Sequence, residues 1–97
     1  MLIVTLLRTK GDLLLHRRAP ADAAAAEQCF LQALDVARRQ DALAWELRAA
    51  MSLARLWRGQ RRASQARKLL EPVYNRFTEG FGTVDLVEAK ALLTSMR

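Results

Sequence analysis

His16 is the chain's only histidine and Cys29 its only cysteine, so the side chains that most often carry nucleophilic or metal chemistry occur once each. Neither has the companions that a zinc-type spacing requires. A His16–Cys29 nucleophile pair is formally allowed, because the two residues fall on consecutive helical stretches. Cys29, however, stands beside Phe30 in an apolar run, where a packed thiol is expected rather than a reactive one. Asp12 and His16 are four apart on one helical face, a spacing that suits a side-chain hydrogen bond. The other carboxylates are scattered singly. There is no G-x-x-x-x-G-K-[ST] loop and no G-x-G-x-x-G turn to cradle a phosphate. The expectation is a non-enzyme, with no catalytic residue, no metal ligand and no cofactor.

The chemistry that is concentrated here is cationic. Between Leu47 and Leu70 stand Arg48, Arg55, Arg58, Arg61, Arg62, Arg67 and Lys68, with no acidic residue among them. Elsewhere bases and acids nearly cancel, so the net charge of +6 belongs to this one segment. Guanidinium groups meet carboxylates bidentately. A patch of them attracts acidic protein surfaces, nucleic acid or anionic lipid. The plain alternative is a solvated face in an arginine-rich chain. The single cysteine points to a reducing, cytoplasmic setting. Met1–Leu7 is apolar but lacks a basic lead-in and ends at Arg8. It is too short for a span and the wrong shape for a secretion signal, so no membrane is expected.

Ninety-seven residues support one small domain with a modest core, and the apolar periodicity places five helices in it. The first covers about 2–17, with Leu2, Leu6 and Leu13 on one strip and Ile3, Leu7 and Leu14 on the next. After a loop at 18–21, Asp22 suits the N-cap of a helix to about Gln40. The third spans about 42–58, with Leu43, Leu47, Ala50, Ala54 and Trp57 as its seam and Gly59 ending it. The fourth runs over about 62–77 through Ala63, Ala66, Leu70, Val73 and Phe77. Pro72 is expected to kink or break it. A turn at 79–82 leaves Phe81 free to dock on the core, and Thr83 caps a last helix to about Ser95. That helix buries Leu86, Ala89 and Leu93, with Val87 and Leu92 beside them, and turns Asp85, Glu88 and Lys90 outward. No alternating strand pattern occurs, so the fold class is all-α.

The helices repeat. Ala26, Phe30 and Ala33 recur 40 residues on as Ala66, Leu70 and Val73. A period of that size, built from helix pairs, signals stacked antiparallel pairs in a short α-solenoid. Leu53, Ala54 and Trp57 in one first helix, and Gly11 and Leu14 in the other, resemble the tetratricopeptide repeat. The period exceeds that family's usual length of about 34, which the 18–21 loop would accommodate. The chain then reads as one domain over 1–97, with repeats at about 2–40 and 42–78 and a capping helix at about 83–95.

A closer likeness covers nearly the whole length. L-L-R-T-K-G-D-L-L-L, E-L-R-A-A-M-S-L-A-R-L-W, L-L-E-P-V-Y and F-T-E-G-F-G-T-V-D-L-V-E-A-K-A-L-L resemble the extreme C-terminus of large bacterial signalling ATPases. Those proteins are fused to an adenylate cyclase or a winged-helix regulator domain. The resemblance implies a repeat region that senses or transmits partner binding, with the ATPase's catalytic residues lying elsewhere. It also implies a fragment, a truncated gene or a stand-alone remnant.

In tetratricopeptide arrays the first helix of each pair lines a concave groove. That places Arg48, Met51, Arg55 and Arg58 opposite Thr5, Arg8, Asp12, Leu15 and His16. The partner-binding candidates are therefore Arg8, Asp12, Arg48, Met51, Arg55 and Arg58. The expected partner is an acidic protein segment or a neighbouring domain of a larger protein. The alternative is nucleic acid on the Arg48–Lys68 patch, although no nucleic-acid module is recognisable and aromatics do not alternate with the bases. Leu2, Ile3, Leu6 and Leu7 occupy two adjacent strips of the first helix, and the second helix can cover only one. The uncovered strip suggests self-association.

Overall fold

The apolar spacing is realised as five α-helices in the computed structural model, which describes residues 2–16, 20–78 and 83–96. They are α1 (Leu2–His16), α2 (Pro20–Arg39), α3 (Leu43–Gly59), α4 (Ala63–Asn75) and α5 (Val84–Ser95). No strand occurs among the described residues, and the fold is all-α. Consecutive helices pack against each other from α1 through α4. α5 lies against both α3 and α4, and α1 also touches α3. Thus α1, α3 and α5 lie side by side, with α2 and α4 behind them. The 19 Å thickness of the 39 × 31 × 19 Å body is that of two helical layers.

Both repeated triplets are buried: Ala26, Phe30 and Ala33 on α2, and Ala66, Leu70 and Val73 on α4. Phe30 belongs to a cluster with Leu53 and Leu56 of α3, against which Leu14 and Leu15 of α1 pack. Leu70 belongs to a cluster that includes Ala50 and Ala54 of α3 and Leu86 and Ala89 of α5. Each second helix therefore shares a core with the first helix of its own pair and with the one that follows. Gly11 is what lets α1 close on α2. A Cβ added there would lie 2.5 Å from Phe30 Cε1, so the ring occupies the space a side chain would need.

Several helix ends differ from the expected ones. α2 begins at Pro20, two residues before Asp22. Proline fits the first helical position because its missing N–H has no intrahelical use there. Asp22 is thus not the cap but a first-turn carboxylate, favourable to the helix dipole. α4 runs through Pro72 unbroken to Asn75. The bond that Pro72 cannot make would have reached the carbonyl of Lys68, and both residues are exposed to water. Thr83 does precede α5 in extended backbone (φ −70°, ψ 153°), but its side chain makes no capping hydrogen bond. Val87, expected beside the buried strip, is 53% exposed. Phe81 lies outside the described residues.

Gly59 does not supply the left-handed residue that ends α3; it is the last helical residue, and Arg61 takes φ 62°. The α2–α3 link is built the same way, with Asp41 at φ 54°. In each, the residue after the left-handed one donates its N–H five residues back along the turn, Ala42 to the Ala37 carbonyl (2.9 Å) and Arg62 to that of Trp57 (2.8 Å). Asp41 and Arg61 donate to the Arg38 and Arg58 carbonyls (both 3.1 Å), completing two Schellman motifs.

Two outcomes follow. Gly11→Ala should lower unfolding free energy by about 1–2 kcal/mol, because the overpacking penalty exceeds the helix-propensity gain. Pairing it with Phe30→Leu should show a compensating coupling in urea titrations. Arg61→Gly should raise stability by about 0.5–1 kcal/mol, since glycine takes positive φ without the steric cost of a Cβ.

Candidate functional site

α3 is buried over most of its circumference: Leu47, Ala49, Ala50, Met51, Leu53, Ala54 and Leu56 all belong to the core. Its cationic side chains can leave the core only along the seams with α1 and α5. Arg55 emerges beside α1, where Arg8, Asp12 and Leu15 recur at i, i+4 and i+7 on the facing strip. These residues, with Ser52 and Leu56, line an open concavity of about 950 Å³. Arg8 Nε donates to Ser52 Oγ (3.2 Å), and that hydroxyl donates to the Arg48 carbonyl (3.2 Å). Arg8 is thereby held by its ε-nitrogen where it lines the groove. Burial lowers the Arg8 pKa from its ordinary value, against the opposing pull of Asp12; Arg48 and Arg55 lower it further, while Asp85 raises it. Guanidinium is basic enough to remain charged. The lining of the groove therefore contains two cations and one carboxylate, Asp12.

The six expected groove residues do not stay together. Arg8, Asp12 and Arg55 share the concavity. Arg48 turns to α5 and pairs with Asp85 (Nε–Oδ2 2.9 Å) while stacking over the Trp45 ring at 4.5 Å. Arg58 also turns to α5, donating to Ser95 Oγ (2.9 Å). Met51 is a correction: at 2% exposure it is a core side chain, sealed in and unable to touch a partner. His16 is exposed at the end of α1, Cys29 is a buried free thiol, and no hydrogen bond joins Asp12 to His16. Among the described residues no group of His, Cys, Asp or Glu is placed to hold a metal ion. No helix among them is long and apolar enough to cross a membrane.

The basic segment is also less bare in space than in sequence. Asp85 and Glu88, expected on the outer face of α5, instead face α3; Glu88 lies 3.6 Å from Arg55. That separation is an ion pair without a good hydrogen bond, so Arg55 is held loosely. Glu27 of α2 accepts from Arg62 Nη1 (2.9 Å) and from the indole N–H of Trp57, over whose ring Arg62 stacks at 4.6 Å. Arg61, Arg67 and Lys68 remain exposed with no ion pair among the described residues.

A second clamp, missed from sequence, sits at the opposite end of the same three helices. Glu46 of α3 is buried and accepts from Arg38 at the end of α2 (3.2 Å) and from Arg76 after α4 (2.9 Å). Glu27 and Glu46 each tie three segments through one carboxylate and so fix the axial register of α2, α3 and α4. No family model matches this sequence, and no curated protein or solved structure matches the chain.

The clamp yields a non-additive expectation. Arg38→Ala or Arg76→Ala alone should cost about 1–2 kcal/mol, because the other arginine still pairs with the carboxylate. Losing both should cost about 3–5 kcal/mol, because Glu46 is then a buried charge without a counter-ion. Urea unfolding of the two single variants and the double variant checks it.

Proposed function

We propose that this chain is a non-catalytic protein–protein interaction module of tetratricopeptide type, belonging to the C-terminal part of a bacterial signalling ATPase or transcriptional regulator. Its groove between α1 and α3 takes a carboxylate-bearing segment of the partner or of a neighbouring domain. The observation that carries this reading is the convergence of Arg8 and Arg55 on one open concavity beside a single acid, Asp12. Arg8 has been partly stripped of water and tethered in advance, so less is lost in ordering it when a carboxylate arrives. Charge-assisted hydrogen bonds to such a group are the strong class. The repeated Ala–large–small triplets and the Leu53–Ala54–Trp57 pattern support the family assignment. A lone buried thiol suits the reducing cytoplasm, where we place the protein.

Duplex nucleic acid fits less well, because three of the seven cations of the basic segment already face carboxylates of α2 or α5. The deciding experiment titrates a glutamate-rich peptide against the chain, read by tryptophan fluorescence or calorimetry. Arg55→Glu and Arg8→Ala should each weaken binding about 10- to 100-fold with unchanged helical circular dichroism. Affinity indifferent to both changes would refute the groove. Tighter binding to duplex DNA than to the peptide, with a steep salt slope, would favour the nucleic-acid alternative.

A further inference from the structure

We infer that the outward face of α1 is a self-complementary seam on which a second copy of this chain docks, antiparallel, about a two-fold axis. Val4 and Gly11 mark the buried side of α1. The strip opposite them carries Leu2, Leu6, Thr9 and Leu13, with Ile3 at its flank. Leu2, Ile3, Leu6 and Leu13 are 71%, 59%, 58% and 61% exposed, although they are the residue types that cores recruit. The strip is spaced 4-3-4, which reads the same in either direction along the helix. That palindrome lets every residue of the strip face another strip residue in an isologous antiparallel contact. It sets Leu2 against Leu13 of the second copy and Leu6 against its Thr9, and the symmetry repeats each pair.

Area and charge favour this occupant. The four large side chains expose on the order of 500 Å² of apolar surface, near the upper end for the largest patch on a monomer. That is more than half of the roughly 800 Å² each partner gives to a standard interface. The methylene stem of Lys10 borders the strip and extends it. Antiparallel docking brings Lys10 level with Thr5 of the second copy and Asp12 level with its Ile3, so no like charges meet. Parallel docking would oppose Lys10 to Lys10 and Asp12 to Asp12 and would align the two helix dipoles. Arg8 and Leu15 lie on the flank turned away from the seam, so a dimer keeps both grooves open.

Sedimentation equilibrium of the full chain at about 100 µM tests the proposal, a concentration at which a micromolar contact is saturated. The expected species is a dimer. Leu6→Glu should weaken it at least about tenfold without loss of helicity, whereas Val87→Glu, equally exposed but on α5, should leave it dimeric. Leu6→Lys should also weaken it, and adding Thr9→Glu should restore it, because the two introduced charges meet twice across the axis. A monomer at that concentration overturns the proposal. So does a dimer that survives Leu6→Glu, one that Val87→Glu abolishes, or a Leu6→Lys defect that Thr9→Glu does not repair.

Discussion

The burial of α3 is the constraint from which the other features follow. Four helices touch it, and nine of its residues, Glu46 included, are buried. A helix so enclosed must present small side chains where neighbours come close; Ala49, Ala50, Ser52 and Ala54 do so. It must also satisfy any charge it carries inward, which is why Glu46 has two arginines. Its own arginines reach water only at the seams with α1 and α5. The groove is therefore one of the two seams along which the central helix exposes its cations, rather than an addition to a finished core.

Charge along the chain and charge in space are different quantities here. The segment from Arg48 to Lys68 contains no acid, yet the helices packed around it supply Glu27, Asp85 and Glu88. Packing thereby sorts the cations into three kinds. Arg48 and Arg62 are held by close carboxylates and by tryptophan rings, and Arg58 by the Ser95 hydroxyl, and they serve the fold. Arg61, Arg67 and Lys68 are solvated. Arg8 and Arg55 are left facing a common space, one tethered by a hydroxyl and one only loosely paired. In the proposed reading, this pair is the part of the cationic surface that receives the acidic partner.

The architecture was legible where periodicity is unambiguous. The Ala26–Phe30–Ala33 and Ala66–Leu70–Val73 triplets locate both second helices and their buried faces, and Leu47–Ala50–Ala54 does the same for α3. Legibility failed where a pattern permits two faces. Around α5, Val84, Leu86, Val87, Ala89, Ala91, Leu92 and Leu93 point to every side, so spacing does not say that Asp85 and Glu88 face α3. Met51 failed for a related reason. The spacing of α3 shows which residues share a strip, whereas the packing of neighbouring helices that seals Met51 is a tertiary fact. The left-handed positions at Asp41 and Arg61 carry no compositional signal, and Gly59, which carries one, misdirects by two residues. The Glu46 clamp joins α2, α3 and the residue after α4 and leaves no local trace.

The central claim is that Arg8 and Arg55, and not the basic segment at large, receive an acidic partner. The most direct measurement is a ¹⁵N-resolved NMR titration of the arginine side-chain N–H groups with a glutamate-rich peptide. The Arg8 and Arg55 signals should move together and saturate at one peptide per groove, while those of Arg48 and Arg62, already held by carboxylates, stay in place. Shifts confined to Arg61 and Arg67, or spread evenly over all the arginines, would contradict the claim.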